Sequence, residues 1–192
     1  MNARVLTLSL SLAAISESPA AVFIQPTSAS LLSPAGFDGG SAAALIQSTS
    51  LAYTEEHQGG PGVTDNQAWV GGNNATMLIR FFLGHPLSLD SFHLWNDSQG
   101  GWAVDEFTIT FRDASQTQVG SLFTSPAALG VNPSTPETFS VGRYDGVVFA
   151  DISFSGRGSG VELTDVAFGF VPEPSSTVLA ALAALGIFRR RR

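Results

Sequence analysis

The chain has 192 residues with 16 carboxylates against nine cationic side chains, all of them arginine, and no cysteine. Disulfides, thiol catalysis and cysteine metal sites are thereby excluded. The cation-poor surface also disfavours nucleic acid and anionic lipid, whose attraction depends on Lys and Arg.

Taken in chain order, Met1 to Ala20 starts with one cation, Arg4, and continues through an apolar run from Val5 to Ile15. Ser18-Pro19-Ala20 then places small residues where a signal peptidase reads. This pattern predicts a secretory signal peptide over 1–20, cut after Ala20, because Pro19 just downstream would hinder a cut after Ser18. Setting aside Glu17, Glu173, Arg4 and the terminal four arginines leaves 14 carboxylates and four arginines over residues 21–171. Such a balance suits solubility or divalent cations. About 150 residues are enough for one domain with its own core, and 14 Phe and three Trp can fill it.

Asp38 to Gly72, rich in Gly, Asn and acidic residues, reads as long loops wrapping one end of the domain, with a helical turn or two allowed within Ala42 to Leu51. The rest is β in pattern. Met77 to Leu83 is a strongly apolar run. Alternating residues follow at Phe92/Leu94, at Phe107/Ile109/Phe111, at Val148/Ala150/Ile152/Phe154 and at Val166/Phe168/Phe170. Period-two patterns of this kind predict strands with one face buried. Turn signals separate them at Gly71–Asn74, Gly84-His85-Pro86, Asp97–Gly101, Asn132-Pro133 and Gly156–Gly160. Short strands at regular spacing predict an all-β antiparallel sandwich.

After the last strand comes Pro172-Glu173-Pro174, then Thr177 to Phe188, an Ala- and Leu-rich stretch, then Arg189, Arg190, Arg191 and Arg192. The prolines keep an extended segment ahead of a helix-prone run, and terminal arginines resist crossing a bilayer. Twelve residues make only ~18 Å of helix, short of a ~30 Å hydrocarbon core, so the run suits a transient insertion better than a permanent anchor. In its three-part order, residues 172–192 resemble the PEP-CTERM sorting signal of Gram-negative bacteria that make exopolysaccharide. The resemblance implies inner-membrane insertion, recognition by an exosortase, cleavage near Pro-Glu-Pro, and delivery to the cell surface or extracellular matrix.

A second resemblance lies within 21–171. Leu89-Asp-Ser-Phe-His-Leu-Trp-Asn96, Asp105 to Asp113 and Gly160 to Phe168 are similar to strands of the galactose-binding-like jelly roll, the superfold of discoidin and many carbohydrate-binding modules. An immunoglobulin-like or other jelly-roll sandwich is the alternative. The resemblance implies a non-catalytic binding or structural module. It also implies a structural calcium near one end, for which Glu162 is the matching carboxylate and Asp65 another oxygen donor. The early Asp-Gly element that usually completes such a site is not evident, because Ile46-Gln47-Ser48 stands in its place and Asp38-Gly39 lies too early. Calcium needs six to eight oxygens.

Sugar rings stack on aromatic faces while fixed polar groups take their hydroxyls. Trp69, Trp95 and Trp102 are the candidate platforms, with Trp95 expected inside the sandwich and Trp102 exposed. Glycan contact is expected through Trp102, His93 and Asn96. Catalytic patterns are sparse. His57, His85 and His93 lack metal-ligand spacing. Glu55-Glu56-His57 reads as a solvated loop, and Asp105 and Glu106 are expected on opposite faces of a strand, the wrong geometry for a shared proton. The expected function is therefore an exported matrix or surface protein binding exopolysaccharide or another glycan. A ligand-free structural protein and a small extracellular hydrolase are the alternatives.

Overall fold

The computed structural model describes residues 22–54, 68–72 and 75–172. The signal segment, the tail from Glu173 through Arg192, and Glu55, Glu56, His57 and Asp65 lie outside them. Among the described residues nine strands form in chain order: β1 (Val22–Ile24), β2 (Ser28–Ser33), β3 (Gly39–Gly40), β4 (Ala68–Gly71), β5 (Thr76–Asn96), β6 (Val104–Arg112), β7 (Phe123–Pro126), β8 (Glu137–Gly156) and β9 (Gly160–Phe170). A single 3-10 turn, Ala42–Leu45, sits within the segment allowed a helical turn.

Two long bent strands build the sandwich, and every strand pair is antiparallel. The first half of β5 pairs β2 on one side and residues 149–155 of β8 on the other, and β8 in turn pairs β6, which pairs β7. The second half of β5 pairs residues 137–140 of β8 and, on its other edge, β9. Both β1 and β4 pair the far edge of β9, at opposite ends of it. The Gly84-His85-Pro86 turn signal thus marks a corner inside one strand rather than a break between two. Gly84 there has φ +88°, a backbone state that only glycine adopts cheaply, and the register of β5 on β8 shifts between Phe82 and Leu87. The Gly156–Gly160 loop is likewise not a simple hairpin, because its two flanking strands belong to different sheets.

Aromatic contacts bridge the layers. Phe92 lies 5.0 Å from Phe107 and 5.5 Å from Phe168, and Phe81 lies 6.4 Å from Phe168, by ring centroids. Rings at these separations add to the burial energy of a core. Along the first half of β5 burial alternates, with Met77, Ile79, Phe81 and Leu83 inside. Along its second half both faces are buried. Residues 41–54 contribute to this by folding over the outer face of the second sheet. Trp95 donates its indole N–H to the Tyr53 carbonyl at 2.9 Å. Asp165, its register partner, accepts hydrogen bonds from the Gln47 and Ser48 amides at 2.8 and 2.5 Å. Trp95 is fully buried as expected, but beneath this loop segment and on the face opposite Phe92 and Leu94.

Candidate site at the loop pole

The register sets two poles. At one lie the corner of β5 and the β8 bend, together with Val22 and Phe170. At the other lie the starts of β5 and β9, the end of β8 and the turn of residues 97–103. The second pole is knitted by backbone hydrogen bonds: Gly72 N–H to Ser159 O at 2.8 Å, Ser159 N–H to Gly101 O at 2.8 Å, Glu162 N–H to Trp102 O at 2.7 Å, and Asp38 N–H to Trp69 O at 3.0 Å. Four segments distant in sequence are thus held as one surface.

On that surface Trp69 and Trp102 pack edge to face, with centroids 5.3 Å apart and planes at 85°. Both are half-buried. Trp102 lies against the α-carbon of Gly160, where any side chain would collide with its ring. Gly71 forms the floor beside the pair. A Cβ placed there would lie 3.2 Å from Asp38 Oδ2, 3.3 Å from Trp69 Cζ3 and 3.9 Å from Trp102 Cζ3. Because Gly71 has no side chain, a small cradle is left where one carboxylate and two indole edges converge. Asp38 is exposed. Its Oδ2 accepts the Gly71 N–H, and among the described residues its second oxygen has no hydrogen-bond partner. Among the described residues Trp69 Nε1 is buried without a hydrogen-bond partner, an arrangement that costs about 1–3 kcal/mol.

His93 and Asn96 do not join Trp102. His93 is 3% exposed, its Nδ1 lies 2.9 Å from Thr138 Oγ1, and its ring sits beside Phe23. Burial holds its pKa below the usual histidine range, so it is neutral at pH 7. Asn96 is 2% exposed. Its Nδ2 donates to Val104 O at 2.9 Å and Ala128 O at 2.6 Å, and its Oδ1 accepts from the Val104 and Asp97 amides, both at 2.9 Å. Every polar atom of this side chain serves the fold. The expectation of glycan contact is corrected for both residues, because His93 is enclosed beside Phe23 of β1 and Thr138 of β8, and the turn after β5 encloses Asn96, at positions that alternation alone leaves open. Trp102, by contrast, is half-buried at the loop pole.

Glu162, the carboxylate matched to a structural calcium, is buried, 6% exposed. Burial, and secondarily the charge of Asp97, push its pKa up to about 8. Asp97 is itself 1% exposed. Two apposed buried carboxylates are the kind of donor a cation neutralises, yet a calcium shell needs several more oxygens. Among the described residues no group of three or more His, Asp or Glu could hold a metal. Gln47 and Ser48, which stand where the superfold draws early ligands, present amide N–H groups to Asp165 instead. The described donor set does not fit calcium. Asp105 and Glu106, expected on opposite faces, are both exposed, because the register of β6 shifts between Val104 and Glu106.

Sequence reasoning named Trp69 and Trp102 but missed Asp38 and Gly71 as their companions. The only signal for them was the Gly-Gly pair directly after Ala68-Trp69-Val70.

Comparison with known proteins agrees with this architecture. Residues 170–192 match the PEP-CTERM protein-sorting motif, which thus opens on the last residue of β9. No protein of established function matches the chain by sequence. Among solved structures, a truncated AlyQ with CBM32 and alginate lyase domains superposes with a TM-score of 0.53 and 16% identity, over 80% of this chain and 35% of that one. The present chain therefore spans about a third of that two-domain protein. The CBM32 of AlyQ in complex with 4,5-unsaturated mannuronic acid gives 0.51 and 15%, over 77% and 97% of the two chains. A CBM32 domain from Clostridium perfringens, in complex with GalNAc-beta-1,3-galactose, gives 0.50 and 9%, over 73% and 92%. At these identities the likeness is one of fold. The chain carries at its C-terminus a PEP-CTERM protein-sorting motif, which indicates an exported protein sorted to the cell envelope, and its body has the galactose-binding-like β-sandwich fold seen in CBM32 domains.

Proposed function

We propose that this protein is a non-catalytic glycan-binding component of the cell surface or extracellular polysaccharide matrix. On this reading signal peptidase cuts after Ala20, the tail inserts transiently in the inner membrane, and an exosortase cuts near Pro172-Glu173-Pro174 to release the body, residues 21–171. Arg189 to Arg192 hold the tail's end on the cytoplasmic side until then. The observation carrying the binding role is the convergence of Trp69, Trp102 and Asp38 on Gly71 at the loop pole. Aromatic surface beside an exposed acceptor is what a sugar ring and its hydroxyls require.

Titration of the full chain, in a sugar-free detergent, with matrix polysaccharide and defined oligosaccharides should quench tryptophan fluorescence saturably. Trp102→Ala should weaken binding about tenfold or more, in line with the loss of a stacked aromatic. Saturable binding unchanged by that substitution would move the site elsewhere. No binding across a broad glycan panel would favour a purely structural surface protein.

The hydrolase alternative draws on Asp97 and Glu162, a carboxylate pair with one raised pKa. Both are buried, whereas glycoside hydrolysis needs two carboxyl groups flanking the bond to be cut. Release of reducing ends from a bound polysaccharide, lost in Glu162→Gln, would reinstate it.

A further inference from the structure

We infer that Asp38 sets the chemical class of ligand at the loop pole, admitting sugars that present hydroxyls or an ammonium group and refusing uronates. This rests on the proposed glycan site and adds its selectivity. The Asp38 carboxylate faces the same point above Gly71 as the two indole edges, so a ring seated on Trp102 must come within a few ångströms of it. Both described arginines of the outer β5–β8–β6 face, Arg80 and Arg112, are bound to Asp151. At the loop pole Arg157 is turned to Asp105, 3.5 Å away, and to the Ala127 carbonyl. Arg143, the remaining described arginine, pairs with Asp145 at the β8 bend, so no cation among the described residues compensates Asp38, while Asp97, Asp105 and Glu106 add further acidic groups to the same pole. A sugar carboxylate would meet like charge with no counter-ion, whereas a hydroxyl can donate to the open oxygen of Asp38 and an ammonium can pair with it. The contrast with the AlyQ module, solved with an unsaturated mannuronic acid, is one of ligand class on a shared fold.

Three probes test this on the full chain by tryptophan quenching: a neutral disaccharide (GalNAc-beta-1,3-galactose), a chitosan oligomer and an alginate oligomer. The expected result is binding of the first two and at least tenfold weaker binding of alginate. Raising the salt should narrow the gap, since charges at the surface are screened within about 10 Å at 0.1 M. Asp38→Asn keeps an acceptor for the Gly71 amide. It should weaken chitosan about tenfold, strengthen alginate by a similar factor, and weaken the neutral disaccharide clearly less than chitosan, since a hydroxyl loses only the charge assistance of its bond. Gly71→Ala, which fills the cradle, should weaken all ligands together, with thermal melting as the check on folding. Alginate binding as tightly as the neutral sugar, or chitosan binding indifferent to Asp38→Asn, overturns the inference while leaving a glycan site intact. Quenching by no probe, or quenching insensitive to Trp102→Ala and Gly71→Ala alike, overturns the site itself.

Discussion

Val22 is the register partner of Phe170, so the first and last strands of the body end side by side at the pole opposite Trp69 and Trp102. The residues that precede Val22 and the sorting motif that begins at Phe170 therefore leave from one pole. The loops that bear the candidate site lie at the other, at the far end of the eleven-residue β9, roughly 33 Å away over its ten steps of ~3.3 Å. Only Val171 to Ser176 separate β9 from the apolar run, a reach of at most about 20 Å.

This polarity predicts a labelling pattern. Since the chain lacks cysteine, single cysteines report cleanly. Gly100→Cys probes the loop pole, where a side chain meets nothing within 4 Å, and Ser121→Cys, exposed in the loop before β7, probes the tail pole. In the full chain reconstituted into vesicles, nitroxide-labelled lipids should quench a fluorophore at position 121 more strongly than one at position 100. Equal quenching would mean that the body lies flat on the bilayer or is detached from it.

Asn96 is predicted to matter for stability rather than binding. Its side chain holds the Val104 N–H and C=O, the Asp97 N–H and the Ala128 C=O. Asn96→Ala strands several of these in the interior, at a cost of about 3 kcal/mol or more from unmade buried hydrogen bonds. Urea unfolding should show a lower midpoint with an unchanged slope. Glycan affinity of the folded fraction should stay within twofold.

Asp151, 6% exposed, accepts from Arg80 Nε at 2.6 Å, Arg80 Nη2 at 2.8 Å and Arg112 Nε at 2.6 Å. Burial by itself would raise its pKa, but the two guanidiniums outweigh that and hold it below the usual carboxylate range. Asp151→Ala leaves two part-buried cations facing each other and should destabilise by about 3 kcal/mol, as breaking buried ion pairs does. A shift in unfolding free energy under about 0.5 kcal/mol, the usual size for a surface change, would show the triad to be decorative.

Glu162 gives stability a pH dependence with a definite sign. Its pKa is about 8 in the folded chain against an ordinary 4.5. Between those values the folded state holds a proton that the unfolded state releases, so stability falls as pH rises through that window. The melting temperature should decline from pH 5 to pH 8, and Glu162→Gln, which keeps the neutral form, should flatten the decline. If millimolar calcium raised the melting temperature at pH 8 in the parent chain and not in Glu162→Gln, a cation rather than a proton would be the partner of this pair.

Much of the core was legible because strand alternation is a local property. Phe107, Ile109 and Phe111, and likewise Ile152 and Phe154, face inward as their spacing predicts, since a period of two puts one side of a strand against the partner sheet. The edge strands escaped notice. Ser28–Ser33 and Phe123–Pro126 are short and half-exposed, so little apolar patterning marks them. The corner of β5 at Gly84-His85-Pro86 looked like an end because Gly and Pro serve at corners as well as at turns.

By itself the sequence determined the sorting motif, the β class, the acidity of the body and the supply of aromatic side chains, all of which are read from composition, order and short-range period. Only the tertiary structure decided which polar residues are spent inside the protein and which face solvent. A loop folded over the second sheet covers Trp95 and Asp165, Phe23 of β1 and Thr138 of β8 flank His93, and a turn encloses Asn96, while strand pairing across some thirty residues of sequence sets Asp38 beside Gly71. Such neighbours are joined by register and layer contact, which no local pattern encodes.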